Sequence, residues 1–384
     1  MLKSWLSKLS LAAARSGRST WMLALEMMHL YRSTGRLGFS EYFDFQLYLN
    51  DLSLNQKQRF AGWRMQSVLE ETLIDDYARF LSLDKITMYS LLKSFGLAIP
   101  QLRAVYKSQR PCAITQLQSA QELASFLCQP GNTPVYLKPS LGSYGRGNTL
   151  ITHVAGELVS LGDGTQMQIA EFCKSLDDRH GLGWVLQEPL SAHPLIAEKC
   201  GPKISGIRIH TFLGAGGAVP TKAIWKINVG RDDSDNFQHG ASGNMLAAVD
   251  MASGRVTRII SGTGANQVEN PRHPVTNAQL IGFQLPWWDE IKALVCDAQL
   301  AFPGFICPGW DIAVCKDGPK ILEVNFFGDI DLSQHAHRQG FLDDSFMALL
   351  HGRGLDELLS GGSEQRNRST KNERMGRRKH HWPW

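Results

Sequence analysis

Hydrophobic and polar positions change their period along this chain, and the changes divide it into parts. Over Thr20–Arg32 and Gln56–Leu81 apolar residues recur at helical spacing, with polar breaks at 33–36 and 50–53. Residues 1–82 therefore read as a helical region whose methionines and aromatics form core. Residues 83–190 read as a small α+β unit. It opens with a helix that Asp84 can cap, has strands over Thr133–Pro139 and Asn148–His153, and carries a helix over Gln166–Ser175. Residues 191–350 supply strands at Gly206–Leu213, Ala218–Val229, Met245–Asp250 and Val256–Ile260, a helix over Trp288–Ala301, and a hairpin near 309–325. Strands and helices alternate without a regular βαβ period, which favours α+β layers over a doubly wound sheet.

The hairpin carries the first candidate chemistry. Gly309–Val314 and Lys320–Asn325 read as strands joined by a three-residue loop, Lys316, Asp317 and Gly318, with Pro319 opening the second strand. Glu323 and Asn325 are two apart and share a face, and the register sets Asp311 opposite Glu323. Two buried carboxylates without a cation are costly, and hard oxygen donors of this kind suit magnesium together with waters and phosphates. The alternative is an exposed hairpin with a chance acidic pair.

A second candidate lies upstream. A strand ends at Lys138 and runs into Ser140–Gly147, where Gly142, Gly145 and Gly147 flank Ser143 and Tyr144. Such glycines let backbone N–H groups turn toward an anion, and Lys138 adds a point charge. The segment lacks Gly-Lys-Ser/Thr and has the wrong glycine order for a dinucleotide fingerprint. A plain glycine-rich turn is the alternative.

Three further constellations stand out. Arg208 sits mid-strand between Ile207 and Ile209, sharing a face with His210, and a buried arginine needs an anion, whether in an active site or a structural ion pair. Lys222 and Lys226 share a face of the next strand, where they reach either phosphate or solvent. The polar loop 231–240 contains Asn236, and Gln334, His335 and His337 follow the hairpin as acceptor-pocket candidates or packing residues.

Composition narrows the rest. A chain of 384 residues, 43% of them hydrophobic, suffices for two or three domains with sizeable cores. The net charge of +4 is concentrated in residues 361–384, where seven Lys/Arg oppose two Asp/Glu; that tail reads as disordered. The body gives no sign of nucleic-acid binding. Seven scattered cysteines form no metal or redox motif, no apolar run spans a membrane, and residues 1–14 make a poor signal peptide, so the expected location is cytoplasmic. An amphipathic helix packed on the protein is the expectation there.

Taken in order, these signals resemble the ATP-grasp superfamily across roughly residues 83–345. Lys85 within Leu83–Thr87, followed by a helix ending at Gly96–Pro100, is similar to the superfamily's opening, whose lysine touches the α-phosphate. Lys138 matches its second phosphate lysine, residues 142–147 its loop over the triphosphate, and Val185–Leu190, with Gln187 and Glu188, its adenine strand and hinge. Asp311, Glu323 and Asn325 match its metal ligands. Within the superfamily the segments Leu186–Leu195, Ile204–Phe212, Asp235–Phe237 with Gly240, and His273–Trp288 resemble the sugar-transfer-associated ATP-grasp family. The chain has Gly240–Ala241 where those proteins usually have two glycines. It has Gly309 where peptide ligases carry an arginine two residues before the metal aspartate.

The resemblance implies an ATP-grasp fold, two α+β subdomains clasping ATP, after a helical preamble. It implies ATP and magnesium, with manganese as a substitute, and a carboxylate–amine ligase acting through an acylphosphate in polysaccharide or cell-envelope biosynthesis. Its substrates would be small or sugar-linked carboxylates and amines. Arg208 and Asn236 are then catalytic candidates, and Lys226 joins the nucleotide set. A phosphotransferase and a non-catalytic ATP-binding partner of a polysaccharide assembly system are the alternatives.

Overall fold

The computed structural model describes residues 2–108, 112–141, 147–177, 183–230, 235–302 and 304–359. Its frame is two seven-stranded sheets with a cleft between them. The first contains β1 (Leu102–Tyr106), β2 (Thr115–Leu117), β3 (Val135–Pro139), β4 (Thr149–Ala155), β5 (Leu158–Leu161), β6 (Gln166–Gln168) and β7 (Trp184–Gln187), in the order β2-β1-β7-β3-β4-β5-β6. Among the described residues of this sheet only β1 and β2 pair in parallel. The second contains β8 (Ile207–Gly214), β9 (Gly217–Ile227), β10 (Met245–Val249), β11 (Val256–Ser261), β12 (Val268–Glu269), β13 (Gly309–Cys315) and β14 (Gly318–Asn325). It is antiparallel throughout, in the order β12-β11-β10-β9-β8-β13-β14.

Alternation along the strands gives each sheet two unlike faces. The first sheet packs Leu123, Phe126 and Phe172 from helices Ala120–Cys128 and Ile169–Asp177 against one face. Lys138 pairs with Val185 and Tyr136 with Gln187, so these four share the other face, toward the cleft. In the second sheet Ile207, Ile209, Trp225 and Trp310 point into the main core beneath helix Trp288–Leu300. Arg208, Ile224 and Asp311, aligned across three strands, occupy the opposite face, part of which helix Ile330–His337 covers.

Helix Thr20–Arg32 has the expected span, with the Ser19 hydroxyl accepting from the Met22 N–H. The single helix expected over Gln56–Leu81 is instead three: Leu54–Gln58, Trp63–Leu73 and Asp76–Leu83. Two contacts break it. At Gly62 a Cβ would lie 2.8 Å from Leu37 Cα, so only glycine allows this crossing. Ile74 leaves helical geometry to bridge Phe305, and Asp75 then caps the next helix on the Ala78 N–H at 2.8 Å. The expected helix Gln166–Ser175 also starts later, because Gln166–Gln168 are recruited as a strand by β5.

The helical N-terminal residues are fastened to the second sheet. Met65, Leu69 and Leu73 share its core, and the Gln334 amide both donates to the Ala61 carbonyl and accepts from its N–H. None of the seven cysteines is in a disulfide. Among the described residues no helix is long and apolar enough to cross a membrane.

Candidate functional site

The cleft encloses about 880 Å³, within the range of small-molecule sites. The first sheet contributes Tyr136, Lys138 and Gln187; the second contributes Arg208, Lys226, Asp311, Glu323 and Asn325. Glu188–Leu190 line the connection between them.

The β13–β14 register sets Asp311 opposite Glu323 and Gly309 opposite Asn325. The loop is shorter than expected: Cys315 pairs with Gly318, leaving only Lys316 and Asp317 between them, and Gly318 takes φ +121°. Arg208, opposite Asp311 on β8, grips both its carboxylate oxygens, Nε to Oδ1 at 2.7 Å and Nη2 to Oδ2 at 2.9 Å. Its Nη1 reaches Asp329 Oδ2 and the Gly328 carbonyl, both at 3.2 Å. Lys226 adds a contact to Asp311 Oδ2 at 3.1 Å and one to Asp235 at 3.3 Å.

Burial alone would raise the Asp311 pKa, but Arg208 and then Lys226 outweigh it and hold the carboxyl well below the usual range. Arg208 and Lys226 are correspondingly raised against their own desolvation, Arg208 chiefly by Asp311 and Lys226 by Asp235 and Asp311. Burial pushes Lys138 down to about 8, with Glu323 opposing and nearby Lys85 reinforcing the shift. Burial, then the charge of Asp329, pushes Asp331 on the cleft wall up to about 6.

The donor set suits a divalent cation. Glu323 makes no hydrogen bond or ion pair among the described residues, so its carboxylate is available. Asn325 donates through Nδ2 to the Gly309 carbonyl at 3.4 Å, which leaves its side-chain oxygen as an acceptor. Asp311 holds two cations, yet a carboxylate has about four lone-pair sites and capacity remains. Among the described residues no group of three His, Cys, Asp or Glu forms a metal centre. The candidate set needs the amide of Asn325.

The remaining expected residues divide. Gln187 is buried on the cleft face, receiving the Tyr89 hydroxyl at 3.4 Å. The Glu188 carboxylate is engaged by Lys320 at 2.8 Å and the Gln101 N–H at 3.0 Å, so it braces the connection between the sheets. Asn236 lines the cleft beside Asp235. Lys85 is buried at the first turn of helix Lys85–Ser94, behind the cap that Asp84 forms on Ile86 and Thr87; it does not line the cavity. Gly147 is described, at φ +84°, whereas Gly142, Ser143 and Gly145 lie outside the described residues.

Lys222 shares the face of Lys226 but is paired with Asp343, away from the cleft. Gln334 serves packing, and His337 meets the Ala223 carbonyl at 2.8 Å. His335 lies against Phe45 with ring centroids 4.6 Å apart, so none of the three lines the cavity.

Sequence reasoning missed Asp235, Asp329 and Tyr89. Asp235 had a signal, an acidic residue beside Asn236 that could face the Lys226 stripe. Asp329 adopts φ +47° after Gly328, a conformation that sequence does not announce. Tyr89 donates to the Leu322 carbonyl at 2.6 Å and ties helix Lys85–Ser94 to β14.

The sequence pattern described as sugar-transfer-associated ATP-grasp matches residues 65–345. No curated protein sequence matches the chain. Among solved structures, the fold is similar to D-alanine–D-alanine ligase from Bacillus anthracis, with TM-score 0.40 and 13% identity, over 80% of this chain and 76% of that one. It is also similar to L-amino acid ligase from Bacillus licheniformis, with TM-score 0.36 and 13% identity, over 70% and 48%. A third likeness is N5-carboxyaminoimidazole ribonucleotide synthetase from Thermotoga maritima, with TM-score 0.33 and 9% identity, over 64% and 42%. This chain thus spans less than half the length of the last two.

Proposed function

Because the chain belongs to the sugar-transfer-associated ATP-grasp family, we propose that it is an ATP-dependent carboxylate–amine ligase that works in this cleft. The observation that carries the reading is the meeting of Lys138 from one sheet with Arg208, Asp311 and Glu323 from the other around one cavity. ATP is a substrate here. Lys138 would attract its phosphates, with the buried Lys85 adding positive charge from behind the cavity wall, and the Gln187–Glu188 connection would border its base. Asp311, Glu323 and Asn325 would hold magnesium, which when bound neutralises phosphate charge.

A substrate carboxylate takes the γ-phosphoryl group, giving an acylphosphate and ADP. An amine then attacks the acyl carbon; phosphate leaves, and the amine surrenders a proton. No protein nucleophile is required, because phosphoryl transfer depends chiefly on positioning and charge neutralisation. Arg208 is held by Asp311 and Asp329, and in this reading its guanidinium would stabilise the oxyanion of the second step. At Gly309, where peptide ligases carry an arginine, a Cβ would lie 3.6 Å from Arg208 Cδ. The guanidinium can therefore serve the same region from the neighbouring strand. We further propose that polysaccharide or envelope precursors supply the carboxylate or the amine, in the cytoplasm.

The test is hydroxylamine trapping with magnesium, ATP and a panel of amino acids and uronic acids. A hydroxamate that appears only with ATP and one class of carboxylate supports the ligase. Phosphate transfer to a sugar hydroxyl without hydroxamate supports a phosphotransferase. ATP binding with no consumption across the panel supports a regulatory partner.

A further inference from the structure

Helices Trp63–Leu73 and Asp76–Leu83 each turn one face to the cleft. Met65, Leu69 and Leu73 on the first, and Ala78 and Leu81 on the second, enter the main core. The cleft face is made by Gln66 and Glu70, four apart, and by Arg79 and Leu83, again four apart; all of them line the cavity. The helical region therefore walls the cleft as well as bracing the second sheet.

Arg79 on this wall is a cation without an anion. Its half-buried guanidinium lies over the Phe326 ring, 4.6 Å from the centroid, and makes no ion pair or hydrogen bond among the described residues. Glu70, the carboxylate on the same wall, accepts from Gln66 Nε2 at 2.8 Å and does not pair with it. Stacking on an aromatic face holds the planar fork without neutralising its charge or using its N–H donors. Such a fork suits an anion with two oxygens.

Strand β14 shows which end of the cleft this is. Lys320 meets Glu188, and the Leu322 carbonyl accepts from Tyr89, whose hydroxyl also reaches Gln187. Glu323 and Asn325 come next, and Phe326 with Arg79 follows them. The order along the chain is hinge, metal candidates, Arg79. A nucleotide with its base at Gln187–Glu188 and its phosphates at the metal candidates leaves Arg79 beyond them, where the acceptor of the γ-phosphoryl group enters.

We propose that Arg79 binds a second anionic group, a carboxylate or a phosphate, on the substrate whose carboxylate is phosphorylated, so that the protein selects acids with a second anion over those with one. The inference rests on the ligase reading for its choice of substrate, whereas the anion site itself needs no turnover.

Calorimetry on the full chain, loaded with magnesium and a non-hydrolysable ATP analogue, tests it with two pairs of probes: succinate against succinamate, and glucuronic acid 1-phosphate against glucuronic acid. In at least one pair the wild type should bind the probe with the second anion about tenfold or more tighter than its partner. A preference in the first pair alone identifies a carboxylate, and in the second alone a phosphate. Arg79→Gln, which keeps helix propensity, should keep its Tm and nucleotide affinity and lose the preference. Arg79→Lys, with the charge but not the fork, should recover only part of it. Equal binding within both pairs, binding of none of the four probes, or a preference that survives Arg79→Gln overturns the proposal. So does lost nucleotide affinity in Arg79→Gln, which would make Arg79 a contact of ATP itself. An Arg79-dependent preference in a protein that forms no hydroxamate would support the anion site and refute the ligase.

Discussion

Arg208 and Asp311 face each other across adjacent strands and share two hydrogen bonds, so the aspartate proposed to hold the metal also fixes the arginine proposed to stabilise the transition state. One carboxylate thereby couples the two halves of the site. The guanidinium fork matches a carboxylate in a way that an ammonium cannot. Arg208→Lys should retain ATP binding yet lose amide formation by about 10²-fold or more, the scale of a missing oxyanion donor. Single-turnover product assays beside nucleotide titrations check this, and wild-type product formation would make Arg208 structural.

Acid should expose the same pair. The Asp311 carboxyl is held below its unfolded value, so its stabilisation is complete above the ordinary carboxylate pKa of about 3.9 and is lost as pH falls through the lower folded value. The Tm gap between wild type and Asp311→Asn should stay constant from neutral pH to about pH 5 and narrow only under stronger acid. Thermal melts across that range decide it.

Lys138 should give the opposite kind of profile. Its folded pKa of about 8 lies below the usual lysine value, so between the two the unfolded chain binds more protons, and this residue's contribution to stability rises with pH. Phosphate recognition runs the other way. Above about pH 8 ATP affinity should fall and binding should take up a proton, and Lys138→Arg should flatten both trends. Calorimetry in buffers of different ionisation enthalpy measures the uptake.

Much of this architecture was legible in the sequence, for identifiable reasons. The Asp311–Glu323 pairing was legible from the hairpin, although the loop is one residue shorter than expected and a bulge between Asp311 and Ile312 restores the pair; an Asx cap before a periodic run marked Asp84. What stayed hidden depends on distant partners. Nothing local in Gln56–Leu81 reveals that Leu37 crosses at Gly62 or that Phe305 captures Ile74. Nor does sequence show that Glu188 is engaged by Lys320, or that Gln334 faces Ala61 and not the cleft. Arg208 was legible as a buried cation in need of an anion, but the identity of that anion came from strand order.

Gln334 makes a stability prediction. It is buried and holds the Ala61 N–H at 2.7 Å, the Ala61 carbonyl at 2.9 Å and the Phe341 N–H at 3.0 Å. Gln334→Ala strands these backbone groups and should cost roughly 2–4 kcal/mol, with nucleotide affinity little changed. Urea melts of the two proteins measure the loss.

The central claim is that the two sheets grip one magnesium–ATP, and calorimetric titration tests it most directly. Wild type should bind MgATP in a one-to-one complex. Lys138→Ala should weaken binding about tenfold or more by removing one charge-assisted contact. Glu323→Gln, whose carboxylate has no hydrogen-bond or ion-pair partner among the described residues, should keep its Tm while losing the magnesium dependence of binding. If both variants bind MgATP as tightly as wild type, with the same dependence on magnesium, the cleft is not the nucleotide site and the account is wrong.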